Sequence, residues 1–567
     1  MKKTIILLLT LTGIFAYPPV RAQELIQGGT VSGNFQIDGQ YYNEDKALGI
    51  TADTMAGKRY GVNAFGNLLY TNGKFTAGLR FETYLPPMTG YSTSLEGSNI
   101  ANWFADYKTD FIQLTVGNFY EQFGSGMILR SYEEWSLGYD NSLKGIRVKL
   151  NPFKGIALKG LVGYQRSYWT PYEDGNRGIV RGADAEFYIN EMIPSLSESR
   201  TKVILGGSFV SKYEKMTTKR LVRGDSIYEY KLPRNIASFA GRLNVIRGGW
   251  NFMSEYAYKM NNPSAANNFI YKEGQALYST LSWSTKGIGV MLGAKRVDNM
   301  SYKSRMNETE SILDINFLPP LAKQHQYSFA TMYPFSTQPN GEMAYQAQID
   351  FKIPKGNLGG KYGTQVSVNY SQVNNIKKEQ IEEGIPVDST GTLGYSSPFF
   401  SFGDELYYSD FSLFITRKFS KSTKANVGYV YQQYNKDVLT GHNGEYPNVL
   451  ASIFIADITV RLNDKNALRL ENQWLFTKQD KGNWVGGTLE YTFAPKWFMS
   501  VADEYNYGND DSDQQLHYYA ISAGYTDGPT RIAVNYGRQR EGLLCVGGVC
   551  RFVPAANGIT ITITSSF

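Results

Sequence analysis

The sequence predicts an all-β chain that forms a single large transmembrane antiparallel β-barrel, with an even number of strands, about 26, and both termini on the periplasmic side. Two patterns predict this fold. Apolar and polar residues alternate along short segments throughout the chain, and the connections between these segments are short and long in turn. After residue 22 there is also no apolar run long enough to span a bilayer as a helix.

Residues 1–22 have the pattern of a secretory signal peptide. "MKK" is followed by the apolar run "TIILLLTLTGIFA" and by a cleavage site after Ala22. The apolar run is too short to cross the roughly 30 Å hydrocarbon core of a bilayer as a helix. We therefore expect one mature domain, the outer-membrane β-barrel, over residues 23–567.

Composition and charge narrow the class of protein. The formal net charge is +6, and removing the signal peptide leaves roughly +3, which is too small for this length to predict a nucleic-acid partner. The chain is rich in Tyr (42) and Gly (57), yet its mean hydropathy is only −0.34. A barrel with a polar interior has such a low average. Composition alone also allows a large secreted β-sandwich or propeller.

The alternation favours the barrel over these alternatives. In "ADITVRL" (456–462), Ile, Val and Leu face one way while Asp, Thr and Arg face the other, and "LRLENQWLF" (468–476) repeats the pattern. A sandwich would bury its inner face against a second sheet. Charges that recur on the polar face instead indicate a wet interior, as in a membrane barrel.

The connections fall into two classes. Short, turn-like pieces rich in Asn, Gly, Asp and Pro occur at 70–74, 107–110, 151–155, 284–287, 419–422, 462–466, 493–497 and 526–530. Longer connections occur at 43–56, 119–141, 212–234, 373–405, 436–453 and 540–556. This alternation predicts periplasmic turns and extracellular loops. It fails only within 296–341, where a strand hairpin formed by 310–317 and 325–333 would restore it.

The chain ends on a two-sided strand, "GITITITSSF". We expect Ile559, Ile561, Ile563 and Phe567 to face outer-membrane lipid, and the alternating threonines to face the interior. This strand should pair with the first one, since an open edge in lipid would leave backbone groups unsatisfied. The terminal aromatic resembles the signal by which the barrel-assembly machinery recognises its substrates, so these four residues are a candidate assembly signal.

The two cysteines lie close together, in "CVGGVC". Export implies an oxidising compartment, which favours a disulfide between Cys545 and Cys550. Metal binding is the weaker alternative, because two thiols without a nearby His supply at most half of a zinc site. No metal or cofactor is expected.

Two long connections carry candidate functional residues. In 119–141, Glu121, Arg130, Glu133 and Glu134 would set a constriction and its charge preference if the loop folds into the lumen. The alternative is an extracellular loop with solvated charges.

The second of these connections, 373–405, ends in the aromatics Tyr395, Phe399, Phe400 and Phe402. They could stack on a sugar or on a partner protein, or pack as a loop plug over the barrel mouth. Packing is the favoured alternative, since aromatics are enriched at strand ends in membrane barrels.

The histidines argue against an enzyme. Only His325, His442 and His517 are present, without an identifiable catalytic partner; we expect His325 at a periplasmic turn and the other two on the extracellular side. We predict no catalytic residues and no enzymatic activity.

Four longer stretches add a resemblance to a family. They are "GNFYEQFGSGMILRSYEEWSLGYDNSLKGIRV" (117–148), "LPPLAKQHQYSFATMYPFSTQPNGE" (318–342), "FSFGDELYYSDF" (400–411) and "CVGGVCRFVP" (545–554). With these four stretches in this order, the chain resembles a family of uncharacterised outer-membrane β-barrel proteins of Bacteroidota. The resemblance covers the mature chain and implies the location and the architecture, but no reaction.

The sequence predicts a passive or gated channel for small polar or amphipathic solutes. The alternative is a non-transporting scaffold that holds other outer-membrane or surface proteins. Barrels of 16–18 strands already enclose an aqueous channel, and 22-stranded transporters carry a plug. A larger barrel would leak unless its own loops or a partner chain closed it.

Overall fold

The strands of the chain form a closed barrel of 24 antiparallel strands in the computed structural model, which describes residues 28–53, 58–169, 178–215, 218–223, 226–442 and 444–567. The signal peptide expected at residues 1–22 lies outside the described residues. Each strand pairs with its neighbours in sequence, so the topology is a simple up-and-down barrel.

The barrel strands are numbered here in chain order. The first twelve are β1 Thr30–Tyr42, β2 Tyr60–Asn72, β3 Phe75–Tyr84, β4 Gly97–Lys108, β5 Ile112–Phe119, β6 Leu143–Phe153, β7 Ile156–Gln165, β8 Ile179–Tyr188, β9 Thr201–Tyr213, β10 Asn235–Arg247, β11 Trp250–Lys259 and β12 Gly274–Thr285. The others are β13 Ile288–Asp298, β14 Glu342–Ile353, β15 Thr364–Ile376, β16 Phe402–Lys418, β17 Thr423–Tyr434, β18 Val449–Arg461, β19 Asn466–Phe476, β20 Trp484–Phe493, β21 Trp497–Tyr505, β22 His517–Asp527, β23 Thr530–Gln539 and β24 Ala556–Ser566.

Smaller elements lie in the connections. Short hairpins pair Glu133–Glu134 with Tyr139–Asp140, Lys219–Arg223 with Ser226–Tyr230, Glu379–Gln380 with Tyr395–Ser396, and Gly542–Val546 with Val549–Val553. The α-helices are Ile189–Met192 and Lys436–Thr440, and the 3-10 turns are Lys46–Leu48, Thr93–Leu95, Trp135–Leu137, Pro194–Leu196, Ala265–Asn267, Ser311–Leu313 and Ser512–Gln514. In the described part of the chain, every helix is too short to cross a bilayer.

The last strand closes the barrel on the first, as the sequence predicts. Asp38 lies opposite Thr562, and the Thr562 hydroxyl donates to its carboxylate over 2.7 Å. Pairing continues to the final residue, because Phe567 exchanges two backbone hydrogen bonds with Gly33. A Cβ on Gly33 would approach the Phe567 ring to 2.5 Å, so glycine makes room for the terminal aromatic. The ring is closed and leaves no open edge.

The prediction of about 26 strands is wrong, and the difference lies where the alternation failed. Segments 310–317 and 325–333 are not barrel strands, since β13 pairs directly with β14 and the residues between them leave the wall. These segments are apolar because they are buried inside the barrel, so their side chains need not alternate between two environments.

Connections of two lengths alternate around the barrel, as predicted. Short turns at 73–74, 109–111, 154–155, 248–249, 286–287, 419–422, 462–465, 494–496 and 528–529 lie at one edge, with 189–200 and 354–363 somewhat longer. Connections at the other edge include 43–59, 120–142, 214–234, 299–341, 377–401 and 540–555. Both β1 and β24 have their free ends at the short-turn edge. We refer to the opposite edge as the long-loop edge.

The outer face of the barrel carries a continuous apolar band. On the last strand, Ile559 and Ile561 are 39% and 42% exposed. Outward-facing apolar residues on the other strands include Leu68, Leu79, Val116, Ile146, Val162, Phe209, Phe239, Leu292, Ile349, Ile415, Phe454, Leu470, Leu489, Val501, Ile521 and Val534. An apolar outside and a polar inside are the arrangement of membrane-spanning β-barrels.

Arginine substitutions on β24 should distinguish its two faces. Ile561→Arg places a charge in the apolar band and is expected to destabilise the folded barrel by roughly 2–4 kcal/mol if it lies near the bilayer midplane. Thr562→Arg points into the polar lumen beside Asp38 and should cost far less. Urea unfolding in lipid vesicles measures both values. A larger loss for Thr562→Arg would mean that the strand faces the other way.

Candidate functional site

Two of the long connections enter the barrel instead of projecting from it. We call residues 120–142 the first luminal loop and residues 299–341 the second luminal loop. The first contributes buried apolar side chains to one cluster and the second contributes to two, and both clusters also contain inward-facing residues of the strands. Together we call the two loops the plug.

The first luminal loop folds inward on an apolar segment. Met127, Ile128 and Leu129 are at most 1% exposed and pack with inward-facing residues of β7 to β13. The Ser125 backbone N–H donates to the Glu255 carboxylate of β11 over 2.7 Å. Gly124 has a φ of +52°, and a Cβ there would lie 2.4 Å from the same carboxylate, so the turn requires glycine.

The second luminal loop binds the opposite part of the wall. His325 Nε2 lies 2.7 Å from Asp410 Oδ2 on β16, and the Gln432 amide of β17 donates to the Ala330 carbonyl over 3.0 Å. Apolar residues of the loop fill the space between these contacts; they are Leu321, Ala322, Phe329, Ala330, Tyr333 and Phe335. This position corrects the prediction that His325 lies at a periplasmic turn.

The two luminal loops also bind each other. The Arg130 N–H donates to the Ile315 carbonyl over 2.9 Å, and the Phe317 N–H donates to the Gly126 carbonyl over 3.0 Å. The Asn316 side chain donates to the Met127 carbonyl over 3.1 Å. The plug is therefore one body, and neither loop can leave the lumen without breaking hydrogen bonds to the other.

Three buried lysines of the wall hold the plug by its backbone. Lys212 of β9 donates to the Lys303 carbonyl (2.8 Å), and Lys259 of β11 donates to the Ser301 carbonyl (2.6 Å). Lys295 of β13 donates to the Pro319 carbonyl over 2.7 Å. Each lysine is at most 2% exposed. The sequence pattern does not single out these residues, because lysines are expected on any wet inner face.

Lys295 also forms a fully buried ion pair with Glu342 of β14. The Glu342 carboxylate accepts a hydrogen bond from the Gln338 N–H of the plug over 2.6 Å. One ion pair therefore contacts the second luminal loop at two points, the Pro319 carbonyl and the Gln338 amide.

The plug covers only part of the inner wall. In the middle and the long-loop part of β10 to β17, many inward-facing polar side chains are at most 2% exposed; they include Ser238, Glu255, Lys259, Lys295, Glu342, Asn369, Ser371, Asp410, Ser412 and Gln432. Along β22 to β24 and β1, the inward-facing Ser522, Asn535, Thr560, Thr562, Gln36 and Asp38 are all partly exposed. We call this second part the uncovered wall.

Open space lies at both ends of the uncovered wall. A cavity of about 580 Å³ near the long-loop edge is lined by Ala502, Ala520 and Arg538 of the wall and by Gln324 of the plug. A cavity of about 500 Å³ at the short-turn end is lined by Asn34, Asn67 and Ser566. The uncovered wall between them carries hydroxyl, amide and carboxylate groups.

Glu121 belongs to a charged group on the inner wall. Its carboxylate lies 2.7 Å from Lys149 Nζ and 3.3 Å from both Lys159 Nζ and Arg147 Nη1. Burial alone would raise the pKa of the Glu121 carboxyl, but the hydrogen bond from Lys149 and the charges of Lys159 and Arg147 outweigh it and hold the pKa below its ordinary value. The carboxylate therefore remains charged until the pH falls through that lowered pKa.

The other charged candidates of the first luminal loop have separate partners. Glu133 pairs with Arg80 in a buried network with Asp140; burial raises the pKa of its carboxyl, and Arg80 opposes that rise. Arg130 stacks on the Tyr132 and Phe317 rings, at 4.4 and 4.0 Å. Glu134 Oε1 accepts from the Ser136 N–H over 3.2 Å. The four residues thus lie in four different environments and do not form one ring.

The aromatic candidates of 377–401 lie outside the lumen. Phe399 stacks near the outward-facing Tyr256 of β11 and over the Arg296 guanidinium, and Phe402 lies edge-on to the outward-facing Tyr345. Tyr395 is buried at the rim, with its hydroxyl donating to Asp298 over 2.7 Å, and Phe400 is 81% exposed. Tyr395 therefore packs at the rim with Ile270 and Ile376, whereas Phe399 and Phe402 contact outward-facing side chains, and the role of these aromatics in a partner contact or a loop plug stays a prediction.

The predicted disulfide between Cys545 and Cys550 is present. It links the two strands of the hairpin Gly542–Val546 and Val549–Val553, which lies across the plug. The Thr337 N–H donates to the Gly548 carbonyl over 3.2 Å, and Arg551 Nη2 donates to the Ser136 carbonyl over 2.9 Å. The hairpin therefore contacts both luminal loops.

Reducing this disulfide should loosen the hairpin and leave the barrel intact. A bond that closes so short a loop is worth about 2 kcal/mol by chain entropy, and the global fold rests on 24 paired strands. Hydrogen exchange is expected to accelerate at 542–553 and at Thr337 in reduced protein, with exchange in β14 to β17 unchanged. Faster exchange throughout the barrel would contradict this prediction.

Among the described residues, no three His, Cys, Asp or Glu side chains are grouped to hold a metal ion. His517 pairs with Asp503 at 2.7 Å on an exposed part of the long-loop edge, and His442 lies 4.0 Å from Glu445. Together with the buried His325, the three histidines have separate surroundings.

The whole sequence, residues 1–567, matches a family of unknown function, DUF6029, and the chain belongs to that family. No curated protein matches the sequence. Among solved structures, the P pilus usher (PapC) translocation pore is 8% identical, with a TM-score of 0.42 and coverage of 94% of this chain and 99% of that one. The siderophore receptor PirA from Pseudomonas aeruginosa is 9% identical, with a TM-score of 0.41 and coverage of 95% and 80%. These similarities concern the barrel fold.

Proposed function

We propose that the protein is a gated channel for small polar solutes in the outer membrane of a Gram-negative bacterium, with the short turns and both termini in the periplasm. The observation that carries this proposal is the uncovered wall. The plug buries inward-facing polar side chains in the middle and the long-loop part of β10 to β17, but it leaves Ser522, Asn535 and Thr562 of β22 to β24 partly exposed.

The chemistry of the uncovered wall suits hydrated solutes. Thr562 bonds to Asp38, and the Ser522 hydroxyl donates to the Asn535 amide oxygen over 2.7 Å. Hydroxyl and amide groups can both donate and accept hydrogen bonds, so they replace the hydration of a polar solute without binding one charge tightly. The middle of the passage is lined by such groups together with Asp38, and charged residues such as Arg538 and Glu504 lie at its long-loop end.

The plug supplies the gate. Its two loops are tied to each other and to the wall lysines, so it moves as one body if it moves at all. Buried ammonium groups such as Lys259, held by a backbone carbonyl, are costly to desolvate. Water that enters between the plug and the wall would solvate these lysines and remove the desolvation cost. The channel is therefore favoured to open between the plug and the wall.

Thiol accessibility tests the passage. Single cysteines at Asn535 or Thr562, on the uncovered wall, should react with a small charged thiol reagent in vesicles and should lower the conductance once modified. Cysteines at Ser412 or Ser371, on the covered wall, should stay unreactive and leave the conductance unchanged. The native disulfide stays oxidised throughout. Equal reactivity of both pairs, or modification at Thr562 with no effect on the current, would refute the proposed passage.

Neutralising Glu121 should shift the ion preference of the channel toward anions. Without its carboxylate, Lys149, Lys159 and Arg147 keep their charges and stay partly exposed to the lumen. Reversal potentials in a KCl gradient measure the shift for Glu121→Gln. Glu134→Gln is the matched control, because that residue bonds within its own turn. An unchanged potential in a well-folded Glu121→Gln variant would contradict the assignment.

A scaffold for other surface proteins is the second candidate function. It is favoured by the aromatic rim, where Phe400 is 81% exposed and Phe402 is 45% exposed beside Tyr345. A large filled barrel with an exposed aromatic edge could hold a partner in the membrane. Purification in mild detergent with a Phe400→Ser variant as control would reveal a partner that depends on this edge.

A further inference from the structure

We infer that the cavity between the plug and the disulfide hairpin is a binding site for an uncharged saccharide. The cavity measures about 760 Å³ and lies at the long-loop edge, within the size range of small-ligand sites. A saccharide bound here would define the solute class of the proposed channel, so this inference rests on the proposed function. Its test measures binding and not conductance.

The walls of the cavity come from five connections. The second luminal loop supplies most of the polar groups, and the first supplies Tyr132 and Tyr139. Segments 260–273 and 435–448 and the disulfide hairpin complete it. A cavity built from several loops of one rigid plug is largely preformed, which lowers the entropic cost of binding.

The polar lining consists of hydroxyl and amide groups. The side chains that provide them are Ser311, Asn316, Ser336, Thr337, Gln338 and Asn340. Such groups can donate and accept, as the hydroxyls of a saccharide do. The rings of Tyr132, Tyr139 and Phe317 line the same cavity and offer flat apolar faces to the C–H side of a sugar ring.

The cavity has no net charge. Lys303 and Asp314 are its charged lining residues, and they pair with each other at 2.5 Å. The cavity at the uncovered wall differs, since Lys323, Arg538, Arg540, Glu504 and Glu541 all line it. A charged solute would have to be desolvated here without a counter-ion, which is costly, so the site selects against ions.

Asn340 has a polar atom with no partner in the described structure. Its amide nitrogen donates to the Ala266 carbonyl, but its Oδ1 is buried and accepts no hydrogen bond from the described residues. An unsatisfied buried acceptor is costly, and because the atom has almost no accessible surface, the side chain has to turn toward the cavity before a ligand hydroxyl satisfies it. The disulfide hairpin also lines this cavity through Gly548 and Cys550, so it can contact a bound ligand.

Calorimetric titration of the full oxidised protein in detergent tests the site. The probes are three uncharged trisaccharides (maltotriose, cellotriose and triacetylchitotriose), with trigalacturonate as the charged counterpart and trialanine as the peptide. At least one uncharged trisaccharide should bind saturably. Its affinity should fall about tenfold in Asn340→Leu, the loss of one hydrogen bond, and binding should vanish in Ser336→Trp, which fills the cavity. Gln324→Leu, in the cavity at the uncovered wall, is the matched control and should bind normally.

The outcomes separate the site from the channel. The assignment is overturned if none of the three uncharged trisaccharides binds, if trigalacturonate or trialanine binds as tightly, or if Ser336→Trp leaves binding unchanged in a folded barrel. Heat-modifiable migration on gels confirms folding of each variant. Saturable binding with an unreactive Thr562→Cys would support the site and refute the channel, whereas the reverse result would refute the site alone.

Discussion

Replacing residues 301–339 by a short Gly-Ser linker is expected to raise the single-channel conductance severalfold and to admit bulky antibiotics. The linker is feasible because β13 and β14 are paired neighbours whose ends lie close together. The deletion removes the larger part of the plug and wets inward-facing groups such as Lys259 and Asp410. A barrel of this strand number encloses a wide aqueous channel when it is empty.

The control for this deletion is the removal of the hairpin at 219–230. Its residue Ile227 is 70% exposed and Tyr228 is 52% exposed, so the hairpin lies outside the lumen. Conductance and antibiotic sensitivity should stay at the level of the unaltered protein. If the plug deletion folded and still carried no more current than the control, the lumen would be closed by something other than the second luminal loop.

Breaking the Lys295–Glu342 ion pair should have the second large effect. Both side chains are fully buried, and removing one partner of such a pair typically costs about 3–5 kcal/mol because the other charge is left unpaired. Lys295→Met or Glu342→Leu alone should therefore either lower the free energy of unfolding by that amount or release the plug and raise the leak current. Urea unfolding and conductance, measured on the same samples, distinguish the two.

The double variant Lys295→Met with Glu342→Leu is the matched comparison. It leaves no unpaired charge, so most of the lost stability should return. The contacts to Pro319 and Gln338 would still be absent, and a small residual leak is expected. Equal losses in the single and double variants would show that the ion pair itself contributes little and that the plug contacts dominate.

The barrel was predictable because its strands obey a simple physical rule. Each wall residue faces either the apolar outside or the polar inside, so "ITITIT" on β24 and "DITVR" on β18 show the alternation directly. The alternation of short and long connections predicted that neighbouring strands in the sequence are neighbours in the barrel. The disulfide was predictable from spacing and compartment, since Cys545 and Cys550 flank two glycines with positive φ.

The plug was not predictable in the same way. In 310–317 and 325–333 the apolar residues contact other loops and the inner wall. These segments do not separate an apolar outside from a polar inside, so their residues do not alternate. Lys259 was equally hidden, because an inward-facing lysine is normal in a wet barrel and only the fold shows that a backbone carbonyl covers it. For 119–141, the apolar "MIL" among glycines is a signal for burial, and it is buried, but the pattern does not show that Glu121 pairs with Arg147, Lys149 and Lys159 of the next two strands.

The lysine contacts have a consequence for how the protein can change over time. Lys212, Lys259 and Lys295 bind main-chain carbonyls, and every residue type offers a carbonyl. The wall therefore recognises the path of the chain and not the identity of its side chains at Ser301, Lys303 and Pro319. Substitutions at Ser301 should be tolerated well in a saturation screen, whereas each of the three wall lysines should tolerate few replacements; Lys303 is a separate case, because its side chain pairs with Asp314. Variants of the channel could then acquire new plug surfaces, and with them new cargo, without having to rebuild the barrel.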